Sequence, residues 1–161
     1  MIRLRPLAVL ALLLTLPACD TNVQQDEFLL DSELPPNGIT RTNEAGEVLE
    51  NDPDDWRVAP VFRGAVEVEP AYPNPVVRTG LVTLIVQDTF DDAIVGGVYV
   101  SGFDDAGRPV RLADDLGAGP TYILSFNPSQ LSASDAEGQL FRVRVFTTDF
   151  RLITYGDVQI Q

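Results

Sequence analysis

The stretch FRVRV, Phe141-Arg142-Val143-Arg144-Val145, alternates apolar and charged side chains without a break. In an extended chain successive side chains point to opposite faces, so Phe141, Val143 and Val145 share one face while Arg142 and Arg144 share the other. The pattern predicts a half-buried strand over 140–147, with one face packed and both Arg in water.

Similar runs lie on either side. Strand-like segments are expected at 65–69, 81–87, 95–103, 109–112, 121–126, 152–155 and 157–160, nearly all separated by turn residues. Tyr122, Leu124 and Phe126 repeat the alternation, and Val110 with Leu112 continues it. Residues 81–86 are apolar almost throughout, which suits a central strand covered on both faces. Phe103-Asp104-Asp105-Ala106-Gly107-Arg108 makes a hairpin corner, because Asp bonds turn backbone and Gly107 can take a positive φ without a Cβ clash. No twelve-residue stretch shows a helical period. Seven or eight short strands in about 100 residues predict an all-β chain, with an immunoglobulin/fibronectin-III-like antiparallel β-sandwich over 59–161.

The amino terminus has a different character. Arg3 and Arg5 precede an apolar run at 7–16, closed by Pro17 and Ala18. This is the form of a secretion signal. Ten helical residues reach roughly 15 Å, about half of a bilayer's hydrocarbon core, which is too short for a permanent span. Cys19 is the only cysteine, so it has no disulfide partner within the chain.

Leu16-Pro17-Ala18-Cys19 resembles the bacterial lipoprotein lipobox. The resemblance implies cleavage between Ala18 and Cys19, with a covalent lipid on the Cys19 sulfur and a membrane anchor that is effectively permanent. Residues 1–18 are then the signal peptide. Asp20 resembles an inner-membrane retention signal of enteric bacteria, whereas Gln24-Gln25-Asp26-Glu27 resembles a surface-export signal. The expected location is the cell envelope, with the outer membrane placed ahead of the inner.

Residues 19–58 read as a disordered acidic tether. Eleven acids between Asp20 and Asp55 stand against Arg41 alone, with breakers at Pro35-Pro36 and Asn37-Gly38. A segment so poor in apolar residues is expected not to offset its ordering entropy. One short hairpin is expected over 38–50, turning at Asn43-Glu44-Ala45-Gly46.

Ala71-Tyr72-Pro73-Asn74-Pro75 forms a stiff entry into the folded part, which Tyr72 is expected to pin to the sandwich end. Tyr72 to Pro75, Gly97-Val98-Tyr99-Val100, the Phe103 corner, Tyr122-Ile123-Leu124-Ser125-Phe126 and Ser129-Gln130-Leu131 follow in order. Together they resemble the carboxy-terminal sorting domains of type IX secretion and the similar domain of flagellar hook-capping proteins. That likeness covers about 66–161 and implies an immunoglobulin-like fold and a role in export or surface attachment. The intervening residues 132–138 and the non-basic end Asp157-Val158-Gln159-Ile160-Gln161 depart from it.

Composition narrows the chemistry. The chain holds 24 acidic residues against 11 basic ones, all Arg, with no His. Such a surface repels nucleic acid and anionic lipid headgroups. Without imidazole or a lysine amine there is no usual zinc site, Walker A lysine or Schiff base. A carboxylate hydrolase would have to assemble Asp88, Asp91, Asp92, Asp104, Asp105, Asp114 or Asp115 in one cleft. These residues fall at turns, where bonding local backbone is their commoner role. Calcium is considered at Asp91-Asp92 with Asp104-Asp105, and at Asn51-Asp52-Pro53-Asp54-Asp55. The expectation is a non-enzymatic envelope lipoprotein without a cofactor, a binding or structural accessory that pairs a free sheet edge with a partner strand. A stand-alone relative of a secretion sorting domain is the alternative, and a carboxylate hydrolase the remaining one.

Overall fold

A computed structural model of the chain describes residues 21–90, 92–117, 119–132 and 137–161. Alternating apolar residues build two packed antiparallel sheets. Strands β3 (Val66–Tyr72), β4 (Val82–Asp88) and β7 (Thr121–Phe126) form one sheet in the order β3-β4-β7. Strands β5 (Val98–Phe103), β6 (Pro109–Asp115), β8 (Leu140–Thr147) and β9 (Leu152–Gln159) form the other in the order β6-β5-β8-β9. The chain changes sheet after β4, β6 and β7, giving the crossed connections of an immunoglobulin/fibronectin-III-like sandwich.

The core lies between the sheets. Val82, Leu84 and Val86 of β4 and Tyr122, Leu124 and Phe126 of β7 face Val98, Val100, Phe141, Val143 and Val145, all buried. Register carries these sets across, pairing Leu84 with Leu124 and Val100 with Val145. A one-residue slip would turn either set to solvent. The corner at Phe103 is as expected: the Gly107 N–H donates to the Asp104 carbonyl at 2.8 Å, Gly107 holds φ +72°, and Phe103 pairs with Pro109.

Three expectations are corrected. Strand β4 is central, yet its burial alternates, and Thr83, Ile85 and Gln87 are only half-buried because no element among the described residues layers over that face. The runs at 152–155 and 157–160 form one strand, since Gly156 continues the ladder opposite Val143.

The third correction concerns residues 19–58, which from residue 21 onward are not a disordered tether. They form helix α1 (Thr21–Glu33) and a hairpin of β1 (Arg41–Thr42) with β2 (Val48–Glu50), then run along β9. The hairpin falls inside the expected 38–50. The order comes from few apolar anchors and many directed bonds. Phe28 packs on Tyr155 with ring centroids 5.0 Å apart, and Trp56 and Phe62 are buried. Trp56 and Ala59 donate their N–H groups to the Tyr155 and Ile153 carbonyls, each at 2.8 Å.

Candidate functional site

The lipidation and cleavage residues Cys19 and Ala18 lie outside the described residues, as do Asp20, Asp91 and Ala118. Among the described residues, polar groups concentrate in the seam where 21–58 meets β9. A cleft of about 210 Å³ there is lined by Asp31, Asn37, Asp55, Arg57, Arg142 and Asp157, among others.

Its centre is a buried ion pair. Arg142 on β8 donates Nε to Asp157 Oδ1 and Nη2 to Asp157 Oδ2, both at 2.8 Å, across the β8–β9 register. Asp157 also accepts the Asn37 N–H at 2.9 Å. The remaining Arg142 nitrogen donates to the carbonyls of Asp31 and Leu34, at 2.8 and 2.9 Å. Those carbonyls end α1, so the sheet supplies the cation that caps the helix's negative end. Burial disfavours the charged guanidinium, but the bonds and charge of Asp157 outweigh it and shift its pKa upward. Sequence reasoning placed Arg142 in water; α1 covers it.

Asp55 lies beside this pair. It accepts the Thr40 N–H at 2.7 Å on one oxygen and the Asp157 N–H at 2.9 Å on the other. Burial is the largest influence on it and, aided by the charges of Asp157 and Asp52 against those two N–H bonds, raises its pKa to about 7. Trp56, next in the chain, holds φ +59° and lays its indole on Gly156, where an added Cβ would come within 2.3 Å of the ring. Its buried Nε1–H has no partner among the described groups.

Asn74 closes the seam from the other side. Its amide donates to the Thr40 and Asp157 carbonyls at 3.0 and 2.8 Å, and its oxygen accepts the Gln159 N–H at 3.0 Å. The Tyr72-to-Pro75 motif is therefore pinned by Asn74, while Tyr72 packs under the Gly46 turn. The motif marked the right place in the sequence. The residue that bonds there was missed.

The outer face of the four-stranded sheet carries a second feature. Arg111 sits over the Tyr99 ring at 4.6 Å, Tyr99 stacks on Phe146 at 5.3 Å, and Arg144 lies 5.8 Å from Phe146 and 4.4 Å from Phe103. Desolvation by half-burial lowers the pKa of Arg144, which makes no ion pair among the described residues. Aromatic rings alternating with guanidinium groups are the composition of protein-binding hot spots.

The proposed strand-pairing edge is narrowed as well. The outer edge of β9 is occupied by residues 56–59 and 76, through Trp56, Ala59 and Val76 N–H groups. The far edge of β6 makes no backbone hydrogen bond among the described residues.

The acidic candidates do not converge. Asp92 precedes β5 and Asp104 follows it, at opposite ends of a six-residue strand about 20 Å long. Asp104 is tied to Arg108 at 2.7 Å, and Asp105 accepts from Ser132 Oγ and Gln139 Nε2. Asp88 accepts the Phe90 and Ile94 N–H groups, Asp115 those of Gly117 and Ile123, and Asp114 pairs with Arg111. Asp52 and Asp55 bond backbone N–H groups in the same way.

Compared with family models, curated proteins and solved structures, the chain matches none.

Proposed function

We propose that the chain is a non-enzymatic, lipid-anchored lipoprotein of the cell envelope, acting as a binding or structural accessory through its β-sandwich. The Leu16-to-Cys19 sequence behind Arg3, Arg5 and the apolar run supports the anchor. The observation that carries the reading is that the segment following Cys19 is, from Thr21 onward, a helix bound to the sandwich by Phe28 and Arg142. An acyl group on Cys19 would then hold the domain at the membrane rather than at the end of a long tether. Asp88, Asp104, Asp105, Asp114 and Asp115 are engaged in turns and ion pairs, which supports an accessory role over catalysis. Partner contact belongs to the β6 edge or to the Tyr99–Phe146–Arg144 face.

Labelled palmitate is expected to enter the wild-type chain and not Cys19→Ala. Equal labelling of the two would overturn the anchor.

A second reading, a stand-alone relative of a secretion sorting domain, is favoured by the sandwich spanning the same stretch as that resemblance, β3 to β9. A reporter fused to residues 19–161 carrying Cys19→Ala, behind an ordinary signal peptide, tests it. Appearance outside the cell supports the sorting role, and periplasmic retention supports the accessory role.

A further inference from the structure

We propose that the end of the sandwich nearest Cys19 is a membrane-docking surface, which sets Phe90, Val95, Leu116 and Phe150 into the headgroup boundary of a zwitterionic bilayer. The inference rests on the anchor reading above and adds an orientation to it.

Bonds bring the loops of this end together. The Thr148 hydroxyl donates to the Val95 carbonyl at 3.0 Å, and the Thr148 N–H to the Gly97 carbonyl at 3.1 Å. Gly97 lies against Leu116, whose Cα is 2.7 Å from where a Cβ on that glycine would stand. Arg151 reaches the Ala93 carbonyl at 3.3 Å and lies over the Phe62 ring at 4.9 Å. Thr89 donates to the Ala65 carbonyl at 2.8 Å, which draws Phe90 in beside the turn at Pro60–Phe62.

The tips of these loops are apolar and bare. Phe150 is 79% exposed, Val95 67%, Phe90 66%, Leu116 62% and Val61 52%. The fold does not call for a bulky ring at Phe150. That residue holds φ +67°, a left-handed conformation where glycine or asparagine would sit with less strain. Its position in the β8–β9 turn thus keeps an apolar ring in water at the cost of backbone strain. The ring meets Tyr99 edge-on, with centroids 6.3 Å apart, and still leaves most of its surface in water.

The first turns of α1 sit at this same end. Gln25 accepts the Val61 N–H at 3.3 Å, and Gln24 accepts from Arg63 at 3.2 Å. Two peptide units of about 3.8 Å each separate Cys19 from Thr21, so an acylated Cys19 holds the start of α1 within about 8 Å of its own depth in the bilayer and turns this end toward it. Exposed apolar residues also lie elsewhere, on α1 and β7. Leu49, Val77 and Leu81 gather at the far end of β4, a seven-residue strand of about 23 Å. The anchor cannot bring them to the surface. With 24 acids against 11 Arg, attraction to anionic lipid is unfavourable, so apolar insertion is the interaction left to seat the domain.

The sole cysteine allows a test independent of cellular lipidation. The chain from Cys19 onward is coupled through its thiol to a maleimide lipid in phosphatidylcholine vesicles, and amide exchange is compared with the uncoupled protein. Exchange at 89–90, 92–97, 116–117 and 148–151 is expected to slow at least fivefold on vesicles, and to return to the free rate in Phe90→Ser/Phe150→Ser. Unchanged exchange in these loops, or protection at 77–81 instead, overturns the docking surface. A failed palmitate label would overturn only the anchor, because the coupling here is chemical.

Discussion

Arg142 grips both carboxylate oxygens of Asp157 at 2.8 Å, Asp157 buried and Arg142 largely covered between β8, β9 and the end of α1. One guanidinium thus neutralises a buried acid on the last strand and ends the first helix. An exposed pair would contribute little. This one is enclosed, and removing either partner strands the other.

Arg142→Ala should therefore destabilise the fold by about 3–5 kcal/mol, the usual cost of leaving a buried charge uncompensated. The loss should concentrate in α1 and residues 34–40, whose carbonyls and N–H groups converge on the pair. Urea melts give the total, and amide exchange along α1 gives the location. A variant whose helix exchanges no faster than wild type would remove Arg142 as the cap.

Asp55 makes stability depend on pH in an unusual direction for a carboxylate. Folded, its pKa is about 7; unfolded, it returns to about 3.9. The folded state holds this proton more tightly, so the contribution of Asp55 is complete below about pH 4 and is lost as pH rises through 7. Melting temperature should fall between pH 5 and pH 8. Asp55→Asn should flatten that slope, while lowering stability by about 1–3 kcal/mol at pH 5 because an amide nitrogen cannot accept the second backbone N–H.

Gly156→Ala should dislodge the Trp56 indole, since the new methyl would sit 2.3 Å from a ring carbon. Overpacking of this kind costs about 1–3 kcal/mol. Trp56 is the only tryptophan, so its emission reports the seam directly. A red shift toward a solvated indole with the sandwich still folded is the expected result; unchanged emission would show that the ring has room to move.

Gly107→Val should cost about 1 kcal/mol through backbone strain alone, because no atom lies within 4 Å of the added Cβ while φ stays at +72°. Thermal melts check it. A larger loss would mean that the β5–β6 corner moves as well.

The sandwich was legible because its strands carry their burial in local alternation. Phe141, Val143 and Val145 alternate, as do Tyr122, Leu124 and Phe126, and each buries as the alternation requires. Helix α1 offered no such signal. Of its apolar residues only Phe28 is buried, while Val23, Leu29 and Leu30 face solvent, so no stripe forms. Its order is tertiary, supplied by Arg142, Arg57 and Tyr155 from far along the chain. The one local hint was aromatic: Phe28 and Trp56 are isolated rings in an acidic stretch that a tether does not require. Asn74 was hidden for another reason. Nothing in Tyr72-Pro73-Asn74-Pro75 says that the amide, rather than the ring beside it, will find three backbone partners.

The seam also imposes an order of events on the chain. Asn37 bonds a residue 120 positions later, Arg142 reaches back 111 positions to Asp31, and Asp157 waits 102 positions for Asp55. A polypeptide made from its amino terminus presents α1 early and β9 last. Until β8 and β9 are made, residues 21–58 have none of these bonds. The segment is thus a clasp that closes only on strands made long after it.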